Sequence, residues 1–320
     1  LLEFAGVLHT PGRAPVLQHR DRMPGAKWFE DTQLNYAENL LARDDDHVAI
    51  VFANERGARR QLTYRELRAE VGRVAAGLRE LGIGPGDRVA GFVPNLPEAM
   101  VAMLATTSLG AAWTSCSPDF GINGVLDRFG QVAPRVLFTA DGYFYSGKTL
   151  DSLAPVRGVL EKLPSVERVV VIPYVSARPD LAGLPNGVHF AEFGHRGAPP
   201  EFVRVPFDTP LFVMYSSGTT GVPKCIVHGV GGTLLQHRKE HLLHGDLKPD
   251  DTLFFFTTCG WMMWNWLVSG LAAGAPLVLY EGSPFHPDPG VLWRMAMDEG
   301  VTIFGTSPKY LAALEKSGYR

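Results

Sequence analysis

Cysteine is scarce in this chain of 320 residues: Cys116, Cys225 and Cys259 are odd in number, far apart and never spaced as C-x-x-C. That excludes a disulfide framework or a thiolate zinc site as the organising principle and makes a reducing cytoplasm the default. A surplus of one charge is also missing, with 30 Lys and Arg against 33 Asp and Glu and a net charge of −3. Without a basic excess there is no electrostatic reason to expect nucleic acid or an anionic membrane as partner. No basic-then-apolar leader opens the sequence, so no secretory signal is expected. Charge is absent altogether from 252–280, yet Gly260 and the run Gly274-Ala275-Pro276 break that stretch. A spanning helix needs about 20 predominantly apolar residues without such punctuation. What remains is a globular composition, 46% hydrophobic and 20% charged, enough for one large domain or two closely packed ones. The start without Met and the end at Gly318-Tyr319-Arg320 lead us to expect a piece of a longer protein.

Local signals predict alternating strands and helices. Segments 48–53 and 60–62 read as a hairpin turning at Asn54 and Gly57. Thr63 then opens a helix, with Glu66 three residues on to complete a capping box. Leu67, Val71, Val74, Leu78 and Leu81 share one helical face, and Gly82 supplies a left-handed stop. Strands are expected at 88–93, 112–116, 135–139 and 168–172, the last a continuous apolar run of the fully buried kind. Helices are expected at 97–109, 122–131 and 155–163. Residues 173–210, rich in Gly and Pro, read as a connection. Leu211 to Tyr215 is a buried strand that runs straight into a Ser/Gly/Thr loop. This βαβ rhythm predicts an α/β fold of two stacked parallel-sheet lobes with helices between and outside them. The expected divisions are a leading arm at 1–47, a first lobe at 48–205 and an incomplete second lobe at 206–320.

The chemistry concentrates in Tyr215-Ser216-Ser217-Gly218-Thr219-Thr220-Gly221-Val222-Pro223-Lys224. Glycines let backbone N–H groups approach a polyphosphate, and successive amides form an anion-binding nest. The hydroxyls of Ser216, Ser217, Thr219 and Thr220 add uncharged donors, and Lys224 adds a cation. The competing reading is a surface linker, against which stand the buried strand before the loop and Pro-Lys after it. The stretch does not match G-x-x-x-x-G-K-[ST], because Val222 and Pro223 intervene before Lys224, and no G-x-G-x-x-G follows a strand. A P-loop kinase and a dinucleotide dehydrogenase are therefore disfavoured.

On these residues the chain resembles the adenylate-forming superfamily of acyl-CoA synthetases, luciferases and peptide-synthetase adenylation domains. Leu62-Thr63-Tyr64-Arg65-Glu66-Leu67 with Gly84-Pro85-Gly86-Asp87-Arg88-Val89 extends the likeness toward the start. Four stretches are similar to the acetoacetyl-CoA synthetases in particular. They are Trp28-Phe29 with Leu34-Asn35-Tyr36-Ala37-Glu38-Asn39-Leu40, Ser117-Pro118-Asp119-Phe120-Gly121, Val125-Leu126-Asp127-Arg128-Phe129, and Thr257-Thr258-Cys259-Gly260-Trp261-Met262-Met263-Trp264-Asn265.

The resemblance implies that Ser216, Ser217, Gly218, Thr219, Thr220, Gly221 and Lys224 grip the β- and γ-phosphates of ATP, with Thr220 and Lys224 as the catalytic residues. It implies that Trp261, Met262 and Met263 border an acyl pocket, although such a stripe alone is also ordinary core; Trp264 and Trp266 are read as core. His228 is either a satisfied structural histidine or a substrate contact. The implied reaction activates acetoacetate with Mg²⁺ and ATP to an acyl-adenylate and pyrophosphate, then transfers the acyl group to CoA. Two alternatives stand: another small acid such as acetate, propionate or a longer chain, or a remnant that binds nucleotide without turnover. The family's adenosine loop with its Mg²⁺-contacting glutamate, and the mobile C-terminal domain with its lysine, have no counterpart in these 320 residues. No metal ligand is therefore assigned, and residues 1–320 alone are expected to be inactive.

Overall fold

The computed structural model describes residues 1–216 and 221–319. The chain opens with four two-residue strands, β1 (His9–Thr10), β2 (Leu17–Gln18), β3 (Lys27–Trp28) and β4 (Gln33–Leu34), and the short helix α1 (Tyr36–Leu40). Then follow β5 (Val48–Asn54), β6 (Arg59–Thr63), α2 (Tyr64–Glu80), β7 (Arg88–Phe92), α3 (Pro97–Ser108), β8 (Ala112–Cys116), α4 (Ile122–Val132) and β9 (Val136–Ala140). A hairpin of β10 (Gly142–Tyr145) and β11 (Lys148–Asp151) leads to α5 (Leu153–Leu160), β12 (Arg168–Ile172), β13 (Gly187–His189) and β14 (Val205–Pro206). The last third holds β15 (Pro210–Ser216), β16 (Lys224–Gly229), α6 (Val230–Lys239), β17 (Leu253–Phe255), α7 (Met262–Ser269), β18 (Leu277–Glu281), α8 (Val291–Asp298), β19 (Ile303–Gly305) and α9 (Pro308–Ser317).

Local chemistry sets the element ends. The Thr63 hydroxyl accepts from the Glu66 N–H at 3.2 Å while the Glu66 carboxylate accepts from the Thr63 N–H at 2.8 Å, a reciprocal cap of the kind that stabilises a helix by about 1 kcal/mol. Gly82 has φ +70°, past the end of α2, where any side chain would be strained.

Among the described residues the strands form two large sheets. One has seven strands in the order β13-β12-β9-β7-β8-β15-β16 and is parallel except for β16. The other has five in the order β19-β17-β18-β5-β6 and is parallel except for β6. Period-two alternation along single strands then builds the layers. Val89, Phe138 and Val170 of the first sheet, with Ile50, Phe52, Leu277 and Leu279 of the second, face one shared inner core that also takes α2, α3 and α7. Their neighbours point the other way. Ala90, Phe92, Leu137 and Val169 pack on α4 and α5, whereas Val51, Val278 and Tyr280 pack on α8 and α9. α3 lies between the sheets and is buried on every side except at Glu98, as its apolar run 99–105 requires. Its terminal Thr106, Thr107 and Ser108 donate back to the carbonyls of Ala102, Met103 and Ala105.

The α/β fold of two stacked, mainly parallel sheets is therefore as expected, but sheet membership crosses the boundary expected near residue 205. β5 and β6 complete the sheet made by 253–305, and β15–β16 complete the first. The stretch 1–47 also does more than lead in. Leu34, Tyr36, Ala37, Leu40 and Leu41 are fully buried, and the Asn35 amide donates to the carbonyls of Thr107 at 3.1 Å, Ser108 at 2.8 Å and Val203 at 2.8 Å. Two of those lie in the last turn of α3, where Thr107 also accepts from the Gly110 N–H and Ser108 from the Val203 N–H. Residues 173–210 carry β13 and lend Phe190, Phe193, Val205 and Phe207 to the inner core. Arg73, 4% exposed, holds this stretch by donating to the carbonyls of Phe190 and Phe193. The uncharged run 252–280 resolves into β17, α7 and β18, and among the described residues no helix is long and apolar enough to cross a membrane.

Candidate active site

The segment expected to grip phosphate joins β15 to β16. This is a hairpin rather than a strand followed by a free loop: Tyr215 pairs with Cys225, and Ser216 with Lys224, as the last register partners. Ser217, Gly218, Thr219 and Thr220 lie outside the described residues. Gly221 has φ +102°, and a Cβ there would meet nothing within 4 Å; the backbone conformation itself calls for glycine. The hairpin is braced from behind. Tyr215 and Thr114 share a hydrogen bond of 2.7 Å between their hydroxyls, the Arg128 guanidinium lies 5.7 Å from the Tyr215 ring, and the Gln131 amide donates to the Pro223 carbonyl at 2.8 Å. α4 and β8 thus hold Tyr215 and Pro223, the residues that flank the turn.

The other end of β16 forms one wall of a cavity of about 750 Å³. Val227 and His228 line it from β16, Thr233, Gln236 and His237 from α6, and Met262, Met263 and Trp266 from α7. Met262 and Met263 therefore line a cavity. Trp261 does not: it precedes α7 as its N-cap, is 68% exposed and is not part of this wall. Trp266 takes the place instead, one helical turn after Met262 and Met263, with its ring centroid 4.3 Å from that of His241. Reading 261–272 as a helix without fixing its rotation left this undecided; spacings of three and four put 262, 263 and 266 on one face. Trp264 is fully buried, as expected, and donates to the Asn95 side-chain oxygen at 2.9 Å.

The histidines at and beside the cavity are neutral, whereas the Glu240 carboxylate in the lining is held below its ordinary range by its hydrogen bond to Lys239. Burial holds the His228 imidazole below its ordinary value. Burial, with the neighbouring His241 and His228 adding to it, takes His237 down to about 3. His241, also buried, lies at about 4 and hydrogen-bonds the Trp266 carbonyl and the Ser269 hydroxyl, each at 2.9 Å. α6 continues through these residues into a π-helical turn, Glu240–His244, a distortion that recurs near functional sites.

A second cavity, of about 330 Å³, lies where the carboxyl ends of β7 and β8 meet those of β17 and β18, the usual ligand position in parallel α/β sheets. Asn95, Ser117, Asp119, Thr257, Thr258 and Glu281 line it. Glu281 is 6% exposed and accepts from the Tyr174 hydroxyl at 2.9 Å. Burial pushes its carboxyl up to about 7 against that hydrogen bond, and the charge of Glu55 adds to the rise. Two stretches singled out by resemblance, Ser117-Pro118-Asp119 and Thr257-Thr258, meet here, whereas Asn95 and Glu281 carried no signal in the sequence. The three cysteines are free; Cys116 and Cys259 are buried, and burial pushes the Cys116 thiol up to about 12. Among the described residues no group of three or more His, Cys, Asp or Glu is arranged to hold a metal ion.

The family whose description reads AMP-binding enzyme matches residues 37–319, a span that includes the hairpin and both cavities. The chain belongs to the AMP-binding enzyme family. Within that family it is 52% identical over 302 residues to acetoacetyl-coenzyme A synthetase of Rhizobium meliloti (strain 1021), covering 93% of this chain and 46% of the relative. It is 43% identical over 339 residues to malonamoyl-CoA synthetase of Penicillium aethiopicum, covering 98% and 47%. The solved structure of acetoacetyl-CoA synthetase from Streptomyces lividans superposes with a TM-score of 0.93 at 46% identity, over 99% of this chain and 49% of that one. The chain thus spans about half the length of the relatives it matches.

Proposed function

We propose that this chain is the phosphate-gripping and acid-binding part of an acetoacetate–CoA ligase. The observation that carries the reading is the sharing of one strand by two sites. Lys224, at the hydroxyl-rich turn, and His228, in the wall of the apolar cavity, both lie on β16. Four residues along a strand span about 13 Å, so an acid seated against Met262 and Met263 has its carboxylate directed toward a nucleotide held at the turn. Ser216, Ser217, Gly218, Thr219, Thr220 and Gly221 with Lys224 then hold the β- and γ-phosphates of ATP. A carboxylate oxygen attacks the α-phosphorus, pyrophosphate leaves, and the acyl-adenylate passes its acyl group to the CoA thiolate. The first step is positioning and charge neutralisation, which amides, hydroxyls and one lysine supply without a side-chain nucleophile. Mg²⁺ accompanies the nucleotide and neutralises phosphate charge; such an ion typically needs only one or two carboxylates besides the phosphates.

Both the acetoacetyl and the malonamoyl group named for the relatives carry a carbonyl on the third carbon, which favours a 3-oxo acid over a plain one. The three free thiols suit a cytoplasmic setting, and ATP, CoA and a small acid are the partners. The test is acid-dependent ATP–pyrophosphate exchange by the full-length protein with acetate, butyrate, acetoacetate and hexanoate. Acetoacetate should give the highest kcat/KM. A preference for acetate or hexanoate overturns the substrate, and no exchange with any acid leaves a nucleotide-binding remnant.

A further inference from the structure

The acid cavity has apolar walls, yet a hydrophobic pocket separates acids that differ by a small group only weakly, whereas a buried hydrogen-bonding group rejects an analogue that leaves it unpaired. Most polar side chains in the wall are already committed. Thr233 donates to the Gly229 carbonyl at 2.7 Å. Gln236 donates to Glu240 at 2.9 Å, and Glu240 also pairs with Lys239 and His244. His241, one turn on, is held by Trp266 and Ser269.

His237 is different. It is 5% exposed, it lines the cavity opposite Met262, Met263 and Trp266, and its Nδ1 is buried without a partner. Nδ1 is sealed off from the cavity, so Nε2 is the ring nitrogen left to meet a ligand there. His228 also lines the cavity but is only half-buried and lies on the strand that leads to the phosphate hairpin, which suits the carboxylate end of the acid.

We propose that His237 is the specificity-determining residue of this site and donates a ring N–H hydrogen bond to the 3-oxo oxygen of the bound acid. The inference rests on the cavity being the acid pocket. A neutral imidazole, as burial makes this one, suits the role: a cation would draw the carboxylate away from the nucleotide, whereas a neutral N–H pairs with a ketone or an amide carbonyl alike. With Nδ1 enclosed and unpartnered, the proton belongs on Nε2, since an undonated N–H is the rarer orphan.

The test compares acetoacetate with butyrate, which replaces the ketone by a methylene at nearly the same size. In the full-length enzyme, His237→Phe should lower the acetoacetate-to-butyrate ratio of kcat/KM by on the order of tenfold to a hundredfold. The loss falls on acetoacetate, and His237→Gln, which restores a donor, recovers part of it. Should the Phe variant not fold, His237→Leu against His237→Gln gives the same comparison. His228→Phe should slow both acids in parallel. A ratio unchanged in the apolar His237 variants, a parallel fall for both acids, or a ratio that moves with His228 instead overturns the assignment. These outcomes are separate from failure of the ligase reading, which would appear in the wild type as no preference for acetoacetate.

Discussion

Glu281→Gln should make the protein more stable at neutral and alkaline pH and leave it nearly unchanged at pH 4.5. Glu281 ends β18 at 6% exposure, accepts from Tyr174 and lies near Glu55. Tyr174 is itself fixed by the Asn54 amide at 2.9 Å, and the Glu55 carboxylate by the N–H groups of Ser146, Gly147 and Ser283 at 2.9, 2.8 and 2.8 Å. The network cannot easily rearrange to solvate a second charge. In the folded protein the Glu281 carboxyl titrates near 7, against 4.5 for the ordinary group. Between those values the native state holds more protons than the unfolded chain, so the native state loses stability as pH rises through that window and carries the full penalty above it. A rise of that size corresponds to about 3 kcal/mol. Gln keeps the shape and an acceptor for Tyr174 while removing the titration. Urea midpoints of wild type and variant at pH 5, 6, 7 and 8 should therefore diverge as pH rises, with the variant the more stable. A difference that stays flat across this range, or widens toward acid, refutes the argument.

Lys224→Ala and Thr220→Ala should each lower acid-dependent ATP–pyrophosphate exchange in the full-length enzyme by roughly 5- to 150-fold, the worth of one phosphate contact of about 1–3 kcal/mol. Thioester formation from preformed acyl-adenylate should change little, and wild-type exchange in both variants removes the hairpin from the phosphate site. Met263→Ala should admit hexanoate while slowing acetoacetate modestly; an unchanged order of acids returns Met263 to the role of packing. Asn35→Ala should cost on the order of 2 kcal/mol in unfolding free energy, because it strips the cap of α1 and removes three side-chain donations. Thr107 and Ser108 keep the N–H groups of Gly110 and Val203, so the Val203 carbonyl loses most. Asn35→Asp keeps the cap acceptor but not the amide donors and should recover little. A loss below about 1 kcal/mol would show that water or a shift of α3 satisfies those carbonyls.

What the sequence by itself determined lies within a few residues of each signal. The Thr63–Glu66 cap, the stop at Gly82, the apolar run that became β12 and the breaks within 252–280 all depend on neighbours one to four positions away, where propensity and periodicity act. The hydroxyl-rich turn and Lys224 stood out as a pattern of adjacent residues, whereas Met262 and Met263 were singled out by family resemblance. The tertiary structure alone decided which strands pair. β5 lies beside β18, more than two hundred residues later, and β15 beside β8; a parallel strand carries the same apolar pattern whichever neighbour it finds. It decided that parts of 1–47 and 173–210 join the core, through Asn35 and Arg73, whose distant partners are backbone carbonyls and so leave no side-chain pattern to read. It also decided that Trp266 rather than Trp261 walls the cavity, because the rotation of α7 is set by what packs on its other face. Glu281 and His237 became unusual only when distant elements enclosed them, since desolvation is a property of the surroundings and not of the residue.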